Sequence, residues 1–181
     1  QSTPNLASCV INNDGSVSTC TATGNGLPSA YGVAINPSSG AYAYVAPQGF
    51  NPFYYCPVNI ADGSLGTCST TGNNLPNLLE SVAINPQGTY IYIGNQSAGG
   101  NNLSFCPINS DGSIGNCTQF TVSGDFSTQG LAVNPAGSYL YVAGLFNKVI
   151  SNCGINADGS LNTTCSVLIS TPVSPSYLAI N

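Results

Sequence analysis

Histidine, arginine, methionine and tryptophan do not occur in this sequence, and lysine occurs once, as Lys148. A single cation cannot neutralise a row of phosphates, which excludes nucleic acid as a partner. Without histidine there is no imidazole for acid–base work near neutral pH, no Ser-His-Asp triad and no imidazole-bound metal. Charge of either sign is scarce, at 4% of residues against about 25% in an ordinary soluble domain, and the net charge is -5. Long apolar runs are missing too. Tyr90-Ile91-Tyr92-Ile93 is far shorter than the ~20 residues that cross a bilayer as a helix, so no membrane span is expected. The chain opens on Gln1, polar residues and Pro4, which reads as a mature N-terminus left after removal of a secretory signal.

What is present is 42% hydrophobic residues and a polar remainder of Asn, Ser, Thr and Gly. Disordered chains combine low hydrophobicity with high net charge, so a packed domain is expected. With 181 residues it is one domain or a compact repeat array.

Eight cysteines fall into four local pairs, Cys9/Cys20, Cys56/Cys68, Cys106/Cys117 and Cys153/Cys165, and each pair brackets an Asp-Gly step. Asp-Gly between alternating apolar residues is a strong hairpin signal, because glycine takes the positive φ of the turn. A hairpin centred between Asp14 and Gly15 sets Cys9 opposite Cys20. The third pair fits the same rule, and the second and fourth miss by one residue, which a bulge absorbs. Zinc is the rival reading, but the spacing is too wide for a zinc knuckle and C-x-x-C is absent. Four hairpin disulfides are therefore expected, and with them an oxidising compartment.

The hairpin recurs at steps of 47, 50 and 47 residues, counted from Cys9 to Cys153. A second module alternates with it: Gly32-Val-Ala-Ile-Asn-Pro, Ser81-Val-Ala-Ile-Asn-Pro and Gly130-Leu-Ala-Val-Asn-Pro, each followed by a turn and a Tyr-x-Tyr strand. Asn85-Pro86-Gln87-Gly88 has the residues of a type I turn. Each period thus holds two hairpins, hence four short strands, and no stretch shows a helical period. Four strands in 40–50 residues, apolar on both faces, are the signature of a β-propeller blade.

On the residues Ala83-Ile-Asn-Pro-Gln-Gly-Thr-Tyr-Ile-Tyr92 and the recurring Asn-x-Asp-Gly-Ser-Leu, the sequence resembles the YVTN or lactonase-like β-propeller repeats of secreted and cell-surface proteins, over nearly its whole length. The resemblance implies a propeller fold. Where such propellers are enzymes, it implies a central site of clustered carboxylates with His, Arg or Ca²⁺, and that cluster is not evident here. The expected architecture is all-β, a propeller-like array of about four blades in one domain over 1–181. The repeats are 1–29 plus 177–181, 30–78, 79–127 and 128–176. This gives fifteen strands, one short of four full blades. The last is Tyr177-Leu178-Ala179-Ile180-Asn181, an inner strand lacking its partner and expected to pair with a neighbouring subunit.

Several residues are candidates for chemistry. Asp14, Asp62, Asp111 and Asp158 recur at equivalent turns, where Asp is demanded by the turn itself, and lie too far apart to share an ion. Glu80 and Asp125 are the two acids outside those turns and are the one candidate acid–base dyad. Phe50, Phe53, Tyr54 and Tyr55 sit beside Pro and Asn and are candidates for an exposed contact surface. Asn95, Asn102, Asn116 and Asn162 open N-x-Ser/Thr sequons, the first two in a loop expected to be accessible to N-linked glycan.

No metal, cofactor or catalytic set is expected, and the chain is expected not to be an enzyme. The leading expectation is a secreted structural protein that self-associates through its terminal strands into a fibre or surface array. A lectin-like propeller binding glycans or a protein partner is the alternative, and a lactonase-like enzyme is third.

Overall fold

A computed structural model describes residues 6–47, 49, 52–96, 100–122 and 127–180. They form fourteen strands and no helix. The first sheet pairs β1 (Leu6–Ile11) with β2 (Val17–Thr23). The second is β3 (Ala30–Ile35), β4 (Tyr42–Pro47), β5 (Tyr54–Pro57) and β6 (Ser69–Thr70). The third is β7 (Leu79–Ile84), β8 (Tyr90–Asn95), β9 (Leu103–Pro107) and β10 (Thr118–Phe120). The fourth is β11 (Thr128–Val133), β12 (Tyr139–Gly144), β13 (Val149–Ile155) and β14 (Leu161–Ser170). Every pairing is antiparallel between consecutive strands, so each four-stranded sheet is a meander, a propeller-like blade.

The third sheet is apolar on both faces because it packs between the second and the fourth. Tyr44, Ala46 and Phe53 of the second sheet meet Leu79, Ile84, Ile91 and Ile93 of the third. Tyr92, Leu103 and Phe120 of the third meet Leu131, Leu140 and Val142 of the fourth. A smaller cluster of Leu27, Val45 and Cys56 joins the first sheet to the second.

The hairpin turns differ from a two-residue Asp-Gly loop. The Gly15 N–H donates to Asn12 O at 2.9 Å and the Asn12 N–H to Ser16 O at 2.8 Å, so three residues form the loop and Gly15 closes it at φ 82°. The register then shifts between Cys9 and Ile11, which brings Cys9 opposite Cys20. Around Gly63 the loop is one residue longer, with the Asn59 N–H donating to Ser64 O. In the fourth sheet the extra residue is taken up where the pairing shifts between Cys153 and Ile155. The bridges are Cys9–Cys20, Cys56–Cys68, Cys106–Cys117 and Cys153–Cys165, with no free thiol. Four such bridges are the chemistry of an oxidising compartment.

The fifteenth expected strand does not form. Residues 171–180 contain no strand, and the first sheet holds β1 and β2 alone. Ser176 and Tyr177 instead run beside β11, where a Cβ on Gly130 would stand 3.0 Å from the Tyr177 Cα. Among the described residues no strand pairs with this segment.

Candidate functional site

The inner strands β3, β7 and β11 share one irregularity. Ala30 pairs with Pro47 and Gly32 with Ala46, leaving Tyr31 as an extra residue. The same shift leaves Glu80 between Leu79 and Ser81, and Gln129 between Thr128 and Gly130. Bulges turn a side chain out of the strand's alternation and recur next to functional sites. Here three of them aim Tyr31, Glu80 and Gln129 into one groove, whose remaining wall is Ser176 and Tyr177. Ser176 occupies the matching repeat position, one residue before the Tyr-Leu-Ala-Ile run. This hollow has a volume of about 120 Å³, and an adjoining one of about 260 Å³ shares Tyr31, Glu80, Gln129 and Tyr177 and runs along the inner strands past Val82, Leu131 and Leu178.

Glu80 supplies the charge. It is half-buried, and its Oε2 accepts from the Ser127 hydroxyl at 3.1 Å while its Oε1 lies 3.5 Å from Gln129 Nε2. Neighbouring repeats thus hold one carboxylate between a hydroxyl and an amide, with phenolic rings to either side. Tyr31 is 53% exposed and Tyr177 84% exposed, so both offer ring faces to a ligand.

The sequence named Glu80 but missed its companions. Asp125, the other half of the expected dyad, lies outside the described residues. Tyr31, Gln129 and Ser176 were visible as the variable position two residues before a repeated Val/Leu-Ala-Ile/Val run, where the flanks recur and the chemistry changes. Only pairing data show that this position is a bulge.

The other candidates are placed differently from expectation. Phe53 is buried at 1% and stacks on Tyr44, with ring centroids 6.5 Å apart. Tyr54 and Tyr55 are half-buried in β5, with Tyr55 tilted against Tyr42. They are blade packing, not a contact surface, and Phe50 lies outside the described residues. Asn95 and Asn102 are fully buried. Asn95 Nδ2 donates to Asn101 O, Asn102 Oδ1 accepts from the Val122 N–H beyond β10, and burial keeps both amides from a glycan. Asn116 and Asn162 are exposed.

Each turn aspartate is a local cap. Asp14 Oδ1 accepts from the Ser16 N–H at 2.9 Å and the Ser16 hydroxyl at 2.6 Å. The same pair of bonds joins Asp62 to Ser64, Asp111 to Ser113 and Asp158 to Ser160. The hydroxyl first, then the amide, holds each carboxyl below its ordinary value of 3.8.

No family model matches the sequence, and no curated protein sequence matches it. Solved structures do match in fold. A functionally unknown protein of Desulfotomaculum acetoxidans superposes with a TM-score of 0.66 at 20% identity, over 92% of this chain and 49% of that one. The periplasmic gluconolactonase of Pseudomonas aeruginosa gives 0.60 at 14% identity, over 80% and 40%. The β-propeller domain of a Myceliophteria thermophila protein gives 0.55 at 8% identity, over 87% and 51%. The chain spans about half the length of the structures it matches. It is built of β-propeller blades, and at these identities the likeness is one of fold.

This corrects the expectation that the chain is not an enzyme. That expectation rested on missing histidine and arginine, yet a gluconolactonase is built on the same blades. A lactone carbonyl is open to water activated by a carboxylate, chemistry that requires neither residue type.

Proposed function

We propose that the inner-strand groove binds a sugar or a sugar-derived lactone, with Glu80 as its working group, in a protein secreted or held at the cell surface. The observation that carries this reading is the convergence of three bulged residues, Tyr31, Glu80 and Gln129, on one side of the array. Aromatic faces beside amide, hydroxyl and carboxylate suit a polyhydroxylated ring, whose C–H face stacks while its hydroxyls pair. The two adjoining hollows, about 120 and 260 Å³, are each smaller than the roughly 300–1,000 Å³ of drug-sized sites, a scale that suits one sugar ring.

The chemistry follows from Glu80. Held by Ser127 and Gln129, its carboxylate accepts a proton from a water that attacks the lactone carbonyl. The tetrahedral intermediate collapses with cleavage of the ring C–O bond, and the proton passes to the departing ring oxygen. General-base assistance of this kind contributes roughly 10²–10⁴-fold. The fibre expected from the sequence gains no support from the fold or the structural neighbours. The disulfides support the compartment.

The test is a titration of aldonic acids and aldonolactones followed by amide NMR. Shifts confined to Tyr31, Glu80, Gln129 and their neighbours support the groove. Saturation without any shift there, or no binding at millimolar ligand, contradicts it.

A further inference from the structure

Consecutive blades are joined by a repeated lock. The ring of Tyr42 lies over the turn glycine of the next blade, Gly112, so closely that a Cβ there would collide with it, and the Tyr44 hydroxyl donates to Gly112 O at 2.8 Å. One repeat later Tyr90 covers Gly159 in the same way, and Tyr92 donates to Gly159 O at 2.7 Å. Tyr139 and Tyr141 hold the same positions on β12, but among the described residues no turn stands against them. Tyr139 is 44% exposed, and among the described residues the Tyr141 hydroxyl makes no hydrogen bond. At the other end of the array Gly15 has the same turn geometry and nothing within 4 Å of where a Cβ would stand. One end carries the tyrosines of a lock and the other carries the turn.

The apolar faces are open in the same sense. Val33 and Ile35 of β3 are 53% and 55% exposed, although their counterparts Ile84 and Leu131 are each buried at 9% against the preceding blade.

From this complementarity we infer that a second copy of the chain docks head to tail, seating Tyr139 and Tyr141 of one copy on the Asp14-Gly15 turn of the other, and that two copies close a ring. The interface repeats one the chain already makes twice within itself. Closure by two copies leaves no lock open at either end, whereas an unclosed head-to-tail contact propagates. Three four-stranded sheets and one two-stranded sheet from each copy give eight sheets, the upper end of the common range. The ring also encloses the groove, setting the Glu80 side of one copy across the axis from that of the other. This inference concerns assembly and does not depend on which ligand the groove takes.

The experiment is sedimentation equilibrium on residues 1–181, oxidised, across a wide concentration range. A species of twice the monomer mass is expected. Two kinds of variant probe the lock from opposite ends: Tyr139→Ser combined with Tyr141→Phe, and Gly15→Asn, which tolerates positive φ but places a side chain where the ring must sit. Each should weaken dimerisation about tenfold or more, as truncation of a buried interface tyrosine does, with an unchanged circular dichroism spectrum. Tyr44→Phe, inside the chain, should lower stability and leave the dimer constant unmoved. A monomer at millimolar concentration, growth of filaments, or a dimer indifferent to both variants would each overturn the inference.

Discussion

The Tyr44 hydroxyl reaches 68 residues along the chain to donate to the Gly112 carbonyl, and Tyr92 repeats the bond to Gly159 over 67. A side chain in the middle strand of one blade thereby fixes the turn of the next. Burial pushes the Tyr44 phenol up to about 12, and the Tyr92 phenol is raised further for the same reason.

Removing either hydroxyl leaves a buried carbonyl unpaired, at a cost of about 1–3 kcal/mol. Tyr44→Phe and Tyr92→Phe are each expected to destabilise the oxidised protein by that amount in urea unfolding. Tyr141→Phe, whose hydroxyl has no such bond, should change monomer stability by less than about 0.5 kcal/mol.

The same phenols set the alkaline limb. The folded pKa lies above the ordinary value of 10, so this contribution is complete below pH 10 and is lost as pH rises towards about 12. Phenolate absorbance should show Tyr44 and Tyr92 ionising only as the protein unfolds. Their titration near pH 10 in the folded state would contradict the packing.

On the acid side the four turn aspartates have folded values below 3.8. Their contribution is therefore intact above 3.8 and fades as pH falls through the depressed values. Carboxyl NMR titrations should place Asp14, Asp62, Asp111 and Asp158 below 3.8, and Ser16→Ala should return Asp14 alone towards it.

Each disulfide spans a loop with a sequence separation of 11 or 12, worth about 2–3 kcal/mol by restriction of the unfolded chain. Cys56→Ala with Cys68→Ala should exceed that figure, because Cys56 is fully buried and its loss leaves a void. Cys9→Ala with Cys20→Ala, on an exposed hairpin, should stay within it. Non-reducing peptide mapping should find no bridge between hairpins.

Expression in a host with N-glycosylation should modify only Asn116 or Asn162, read by mass spectrometry after deglycosylation in heavy water. Modification of Asn95 or Asn102 would mean that the β8–β9 loop is open before glycosylation is complete.

Strand order, blade repeats and disulfide pairing were legible because each has a local signal: Asp-Gly between paired cysteines, and Asn-Pro before Tyr-x-Tyr. Tertiary facts were not. Phe53 reads as a loop aromatic beside Pro52 until the preceding strand, β4, brings Tyr44 against it. Asn95 reads as an accessible sequon until burial and the bond to Asn101 O take up its amide. The groove was half legible, since Glu80 stands out in a chain so poor in charge. That Tyr31 and Gln129 share its bulge depends on cross-strand register, which alternation alone does not disclose. Tyr177 reads as a strand from its apolar run, but a strand also needs a neighbour.

Steady-state hydrolysis of an aldonolactone panel by the wild type and Glu80→Gln, followed by pH-stat and corrected for spontaneous opening, tests the central claim most directly. Turnover that falls roughly 10²–10⁴-fold in Glu80→Gln, with binding retained, is the expected result. Wild-type rates indistinguishable from spontaneous hydrolysis, or turnover unchanged in Glu80→Gln, would contradict it.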